Sequence, residues 1–212
     1  MRHLFLSLAI LITLAGCSSG TEAPVASVEK PPVEKPAARA AAPALSGFEA
    51  ARAAQALWAA ALDGNAEAVR EVLDSGADVG AADPDGRTAL MLAAFNGYTG
   101  TVRLLLARGA SVADRDSLGR TPLMFASTGP FGDTVELLLE SGADPNAVEE
   151  SEGFTSLMFA AGEGQMEVVR TLLSHGANPR LVDDDGDVAA DHASTKGHEE
   201  VARALEQADV GN

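Results

Sequence analysis

The sequence predicts an all-α solenoid of about five helix-turn-helix repeats joined by finger-like β-turns. Three observations lead there. Thr88-Ala89-Leu90-Met91 returns as Thr121-Pro122-Leu123-Met124 and as Thr155-Ser156-Leu157-Met158, at spacings of 33 and 34 residues. Gly-Ala pairs beginning at Gly76, Gly109, Gly142 and Gly176 keep the same rhythm, 33, 33 and 34 apart. Inside each period two short apolar runs flank a helix-breaking position, and the second has the three-to-four spacing of a half-buried helix. Self-similarity at a fixed period in this range marks a stacked array. A helix pair this short cannot bury both its apolar faces alone, so each copy must lean on its neighbours.

Every part of a copy has a physical reason. The Thr-x-Leu opening leads into the first helix, Leu90 to Ala94 in one copy and Leu157 to Ala161 in another. Gly64, Gly97, Gly164 and Gly197 then break the chain where a positive φ is favourable only without a Cβ. A second helix follows, such as Val168-Val169 through Leu172-Leu173. Gly-Ala-Asp and a polar stretch holding Gly86, Gly119, Gly153 or Gly186 close the copy as a hairpin-like turn.

Gly86-Arg87-Thr88-Ala89-Leu90, with Ala93-Ala94, Gly97, Leu104-Leu105-Leu106 and Gly109-Ala110, resembles the ankyrin-repeat pattern nearly throughout. The resemblance runs from about Phe48 to Gln207 and divides a domain of residues 47–210 into repeats at about 50–82, 83–115, 116–149, 150–182 and 183–207. It implies protein binding through the finger tips and the exposed side of each first helix, without catalysis. Carried onto this chain, the contact positions are Asp85, Arg87, Phe95 and Asn96 in the second repeat. The third supplies Leu118, Arg120 and Thr128, the fourth Glu152, Phe154 and Glu163, and the fifth Asp185 and Asp187. Phe95, Leu118 and Phe154 are apolar where exposure is expected, which makes them the anchors of an acidic-rimmed site.

The chain departs from that family's pattern in three places. Met91, Met124 and Met158 replace the usual His of Thr-Pro-Leu-His, so the polar bracing of that turn is expected to be missing, with Met filling the space by softer packing. Trp58, the only Trp, stands at the same position in the first repeat and is expected in the core. Pro130 occupies the helix-breaking glycine position of the third repeat, where proline cannot take a positive φ. Phe131 beside it is expected to turn toward solvent, either as part of a contact point or as a tolerated loop variant.

Ahead of the repeats, Met1-Arg2-His3 is positively charged and residues 4–14 are apolar apart from Ser7 and Thr13. Eleven residues fall short of the roughly 20 that span a bilayer, and the segment reads as a secretory signal over 1–16. Leu14-Ala15-Gly16-Cys17 is similar to the bacterial lipoprotein box, in which the Cys is acylated and becomes the mature N-terminus. A plain signal peptide or an uncleaved anchor is the bland alternative. Cys17 is the only cysteine, so once acylated it leaves no disulfide, thiol nucleophile or cysteine metal ligand. Ser18 in place of Asp points by analogy to the outer membrane. Residues 17–46 hold Pro24, Pro31, Pro32, Pro36 and Pro43 among Ala, Glu and Lys, the composition of a disordered tether. Ser46 with Glu49 forms a capping box for the first helix, which is expected to run to about Asp63.

From Phe48 onward there are 28 acidic residues against 11 Lys and Arg, while the tether balances at three of each. The acidity concentrates in the finger turns: Asp83 and Asp85, Asp114 and Asp116, Glu149 to Glu152, and Asp183 to Asp187. Such a charge excludes nucleic acid and docking on an anionic membrane surface. It serves solubility, or it steers a basic partner. Asp183-Asp184-Asp185-Gly186-Asp187 looks like part of a calcium loop, but Leu181 and His192 stand where its terminal ligands would be. His175, His192 and His198 lack metal-ligand spacing, and no nucleophile elbow is present. The reading is a monomeric, non-enzymatic protein-binding lipoprotein of the bacterial envelope, anchored through Cys17, facing the periplasm and needing no cofactor or metal. It inhibits or supports another, possibly basic, envelope protein. A periplasmic carrier of a small, haem-type ligand held by Met and His is the alternative.

Overall fold

The computed structural model describes residues 46–210. The segments expected to be signal and tether, with Cys17, fall outside the described residues up to position 45. Ten α-helices and no strands form among those described. They pair in order: α1 (Gly47–Leu62) with α2 (Ala66–Asp74), α3 (Ala89–Phe95) with α4 (Thr99–Ala107), α5 (Pro122–Ser127) with α6 (Gly132–Glu140), α7 (Ser156–Gly162) with α8 (Met166–Ser174), and α9 (Ala189–Thr195) with α10 (Glu199–Val210). Each pair stacks on the next, first helix on first and second on second. No described helix is long and apolar enough to cross a membrane.

Stacking is driven by rows of side chains that repeat with the sequence period. Leu57, Leu90, Leu123 and Leu157 line the first helices, and Val69, Val102, Val135 and Val169 the second, all essentially without solvent contact. A further row, Leu105, Leu138, Leu172 and Leu205, seals the second helices from behind. Truncating one such Leu to Ala costs about 2–5 kcal/mol, because its cavity cannot collapse against a rigid neighbour.

The first helices start on capping residues in extended backbone. Ser46 makes the expected box: Glu49 Oε2 accepts from the Ser46 N–H at 3.0 Å and the Ser46 hydroxyl accepts from the Glu49 N–H at 3.5 Å. In the inner repeats the methionines supply the bracing that their substitution for His was expected to remove. The Thr88, Thr121 and Thr155 N–H groups donate to the sulfurs of Met91, Met124 and Met158 at 3.3–3.4 Å. A thioether is a weak acceptor, but it points back at the N-cap as a capping carboxylate does. The fifth repeat reverts to the carboxylate, with Asp191 Oδ2 accepting from the Val188 N–H at 3.0 Å. Trp58 is half-buried against the core, and its Nε1 donates to the Ala81 carbonyl at 2.8 Å.

Between the helices of a pair, the glycine serves the next repeat. A Cβ on Gly64 would stand 2.6 Å from the Tyr98 ring, one on Gly164 2.5 Å from the His198 ring, and one on Gly97 would collide with the Phe131 ring. Phe131 is therefore half-buried over the preceding repeat, correcting the expectation that it turns outward. Pro130 itself is exposed, and the chain passes it directly into α6.

The fingers are built around one inward-turned acid each. Asp83 accepts from the N–H groups of Asp85 and Arg87, and Asp116 from those of Leu118 and Arg120. Asp183 accepts from those of Asp185 and Asp187. Glu149, one methylene longer, closes the finger that is one residue longer, accepting from Ser151, Glu152 and Phe154. Successive fingers are joined by backbone bonds: Ser117 N–H to Asp85 O, Glu150 N–H to Leu118 O, and Asp184 N–H to Glu152 O, at 2.9–3.0 Å. Only glycine allows this approach at Gly119, where φ is +77° and a Cβ would lie 2.6 Å from the Glu150 side chain.

Candidate functional site

The first-helix and finger side of the stack carries the candidate positions in registered rows. The residue after each finger glycine runs Arg87, Arg120, Phe154, Asp187 along the stack. The finger tips run Asp85, Leu118, Glu152, Asp185. At the end of the first helix the row is Leu62, Phe95, Thr128, and at the residue after the buried Met it is Leu92, Phe125, Phe159, His192.

Phe95 is 50 % exposed and meets Phe125 edge-on, with ring centroids 6.3 Å apart. The Arg120 guanidinium covers the other ring of that pair, 4.7 Å from the Phe125 centroid. Leu62 and Leu118 are 47 % and 43 % exposed. These residues give an apolar strip along the first three repeats, and Asp85 in the second finger is exposed.

The arginines on that strip are held in place. Arg120 donates to Asp116 Oδ2 from Nε at 2.8 Å and pairs through Nη2 at 2.7 Å. Arg87 bridges Asp83 at 2.8 Å and Asp85 at 2.9 Å. Asn96 donates to the Leu62 and Leu92 carbonyls, each at 3.3 Å, and the Thr128 hydroxyl donates to the Phe125 carbonyl at 2.9 Å. All four candidate positions thus brace the framework, although each keeps some solvent exposure.

Phe154 differs from its expectation as an exposed anchor. It is half-buried, edge-on to Phe159 at 5.5 Å and to His192 at 4.8 Å. His192 in turn bonds Asp183 Oδ2 through Nε2 at 2.8 Å. A ring here joins the fourth repeat to the fifth and is part of the packing. Glu152, Glu163, Asp185 and Asp187 are exposed, as expected of a rim.

The acidity of the fingers divides into two kinds. Burial alone would raise the Asp83 carboxyl, but Arg87 and the turn N–H groups outweigh it and hold the group below its ordinary value. Glu149 is likewise held down against its burial by Ser151 and the finger N–H groups, and Asp183 by the Asp187 N–H and His192. These inward carboxylates are structural anions. The charge left for a partner sits on the outward ones.

Several features argue about ligands. Met91, Met124 and Met158 are at most 2 % exposed, with their sulfurs turned to the Thr N–H groups. Asp183 has its oxygens engaged by two N–H groups and His192. Among the described residues no group of three or more His, Cys, Asp or Glu side chains is placed to hold a metal ion. Phe125 and Phe159, which sequence reasoning passed over, each follow the buried methionine directly. Helical phase puts that position at the edge of the buried stripe.

A family model described as ankyrin repeats (3 copies) matches residues 56–149 and again 129–212. The chain belongs to the ankyrin-repeat family. A comparison with curated proteins found no match. Ankyrin repeats are in general non-catalytic protein–protein interaction modules.

Proposed function

We propose that the ankyrin stack is the docking domain of a lipoprotein of the bacterial envelope, binding and thereby inhibiting or supporting another envelope protein. The observation that carries this reading is Phe95, half exposed and backed by Phe125 on the side from which ankyrin repeats engage partners. A large ring held at the surface by a second ring is pre-ordered for contact, so binding loses little side-chain entropy there. Leu62 and Leu118 are exposed in neighbouring register positions, and the outward acids Glu152, Glu163, Asp185 and Asp187 follow in the fourth and fifth repeats. No catalytic step is assigned: the inward carboxylates and Asn96 are engaged in turns and helix ends, and the Thr121 and Thr155 hydroxyls cap α5 and α7. Acylated Cys17 supplies the anchor, since several acyl chains on one residue hold firmly where one chain is marginal. Ser18 favours the outer membrane, with the repeats facing the periplasm.

Photo-crosslinking in envelope preparations tests the docking side. A crosslinker at position 95 or 118 is expected to trap one protein, and the same group at the outward-facing Arg103 or Arg170 is not. Equal yield from all four positions would defeat the proposal. Cys17→Ser is expected to move the protein from the membrane fraction to the soluble fraction and to abolish acyl labelling.

A further inference from the structure

Charge changes along the docking side while apolar character fades. In the second and third repeats the cations after the finger glycine are both neutralised, Arg87 by Asp83 and Asp85 and Arg120 by Asp116. That half presents Phe95 and Leu118, with Leu62 of the first repeat next in register, and its row charges Arg87, Asp85 and Arg120 are all ion-paired. In the fourth and fifth repeats the finger tips hold Glu152 and Asp185, the residue after the finger glycine becomes Asp187, and the position of Asn96 becomes Glu163 and then Lys196, all exposed. The same positions therefore run from paired arginine to aromatic ring to free carboxylate within one stack.

We infer that the apolar strip and the acidic end are two halves of one site, and that the occupant is a protein segment carrying an apolar anchor followed by a basic cluster. The inference rests on the docking reading above and adds the chemistry of the partner. An apolar side chain seats on the exposed face of Phe95 beside Phe125, where the one local cation, Arg120, is already paired with Asp116. Lysines or arginines face the outward carboxylates of the last two repeats, which have lost the arginines that neutralise their counterparts. Helices in stacked repeats lie about 8–10 Å apart, so two repeats separate the halves by roughly 20 Å. An extended chain covers that distance in about six residues at roughly 3.3 Å each.

The test uses the full ankyrin chain and synthetic peptides. One peptide carries a Leu-Phe anchor and, six residues on, four Arg. The others carry the anchor alone, the Arg cluster alone, or both with a two-residue gap. Binding is read by fluorescence anisotropy at low and at moderate salt. The spaced two-part peptide is expected to bind at least about tenfold more tightly than any other, because the second half docks intramolecularly. Asp185→Asn with Asp187→Asn should remove most of that gain and most of its salt dependence, whereas Phe95→Ala should weaken binding equally at both salts. The inference is overturned if the Arg cluster alone binds as well as the two-part peptide, or if the double Asn variant binds it unchanged. Crosslinking from position 95 separates the two levels. A trapped partner whose capture ignores Asp185 and Asp187 leaves the docking reading standing and sinks this inference, while no trapped partner sinks both.

Discussion

The ring of Phe131 fills the space that a side chain on Gly97 would need. Tyr98 stands in the same relation to Gly64, and His198 to Gly164. Gly64, Gly97 and Gly164 thus each have two duties, taking a left-handed turn and receiving a ring from the following repeat.

That relation is testable as a coupling. Gly97 has φ +67°, so Gly97→Ala introduces left-handed strain of about 1–2 kcal/mol and overpacking of about 1–3 kcal/mol. In a Phe131→Ala background only the strain remains. Denaturant unfolding of the four proteins in the cycle is expected to give a coupling of about 1 kcal/mol or more. Strict additivity would show that the ring and the glycine do not meet.

The two phenylalanines first paired as anchors now separate. Phe154→Ala is expected to lower stability by about 2 kcal/mol, since it strips a ring packed against Phe159 and His192. Phe95→Ala is expected to stay within about 1 kcal/mol of wild type while reducing crosslinking to the partner. Thermal melts of the single variants decide between them.

Acid should unfold the stack through its fingers. Asp83, Glu149 and Asp183 are all held below their ordinary values in the folded protein. A depressed carboxylate contributes stability above its unfolded pKa, and that contribution is lost as pH falls through the folded one. Stability is therefore expected to be nearly flat above about pH 5 and to fall progressively below about pH 4. Glu149→Gln should cost about 1–3 kcal/mol at pH 7 by leaving finger N–H groups without their ionised acceptor. The gap from wild type should narrow below pH 4, and urea titrations across pH measure it.

Ser156 offers the opposite sign. Its hydroxyl is fully buried without a hydrogen-bond partner, at the position where the other repeats have Ala89, Pro122 and Ala189. Ser156→Ala removes an unsatisfied group without opening a large cavity. A rise in stability of about 1 kcal/mol is expected, visible as a higher melting temperature.

What the chain announces without any coordinates is whatever depends on neighbours in sequence. The 33-residue rhythm, the positive-φ glycines at Gly64, Gly97, Gly164 and Gly197, and the Ser46 cap were legible because turns and helical faces are local properties. The leucine and valine rows followed from the same period. The exposed positions of the fingers and first helices were legible only as a register.

Contacts between repeats were hidden, because they join residues some thirty apart whose pairing no local pattern encodes. Only the stacked structure put Phe131 onto Gly97, drew Phe154 inward between Phe159 and His192, and turned one acid of each finger away from solvent. A side chain's freedom to meet a partner depends on what the next layer occupies, and that is decided in three dimensions.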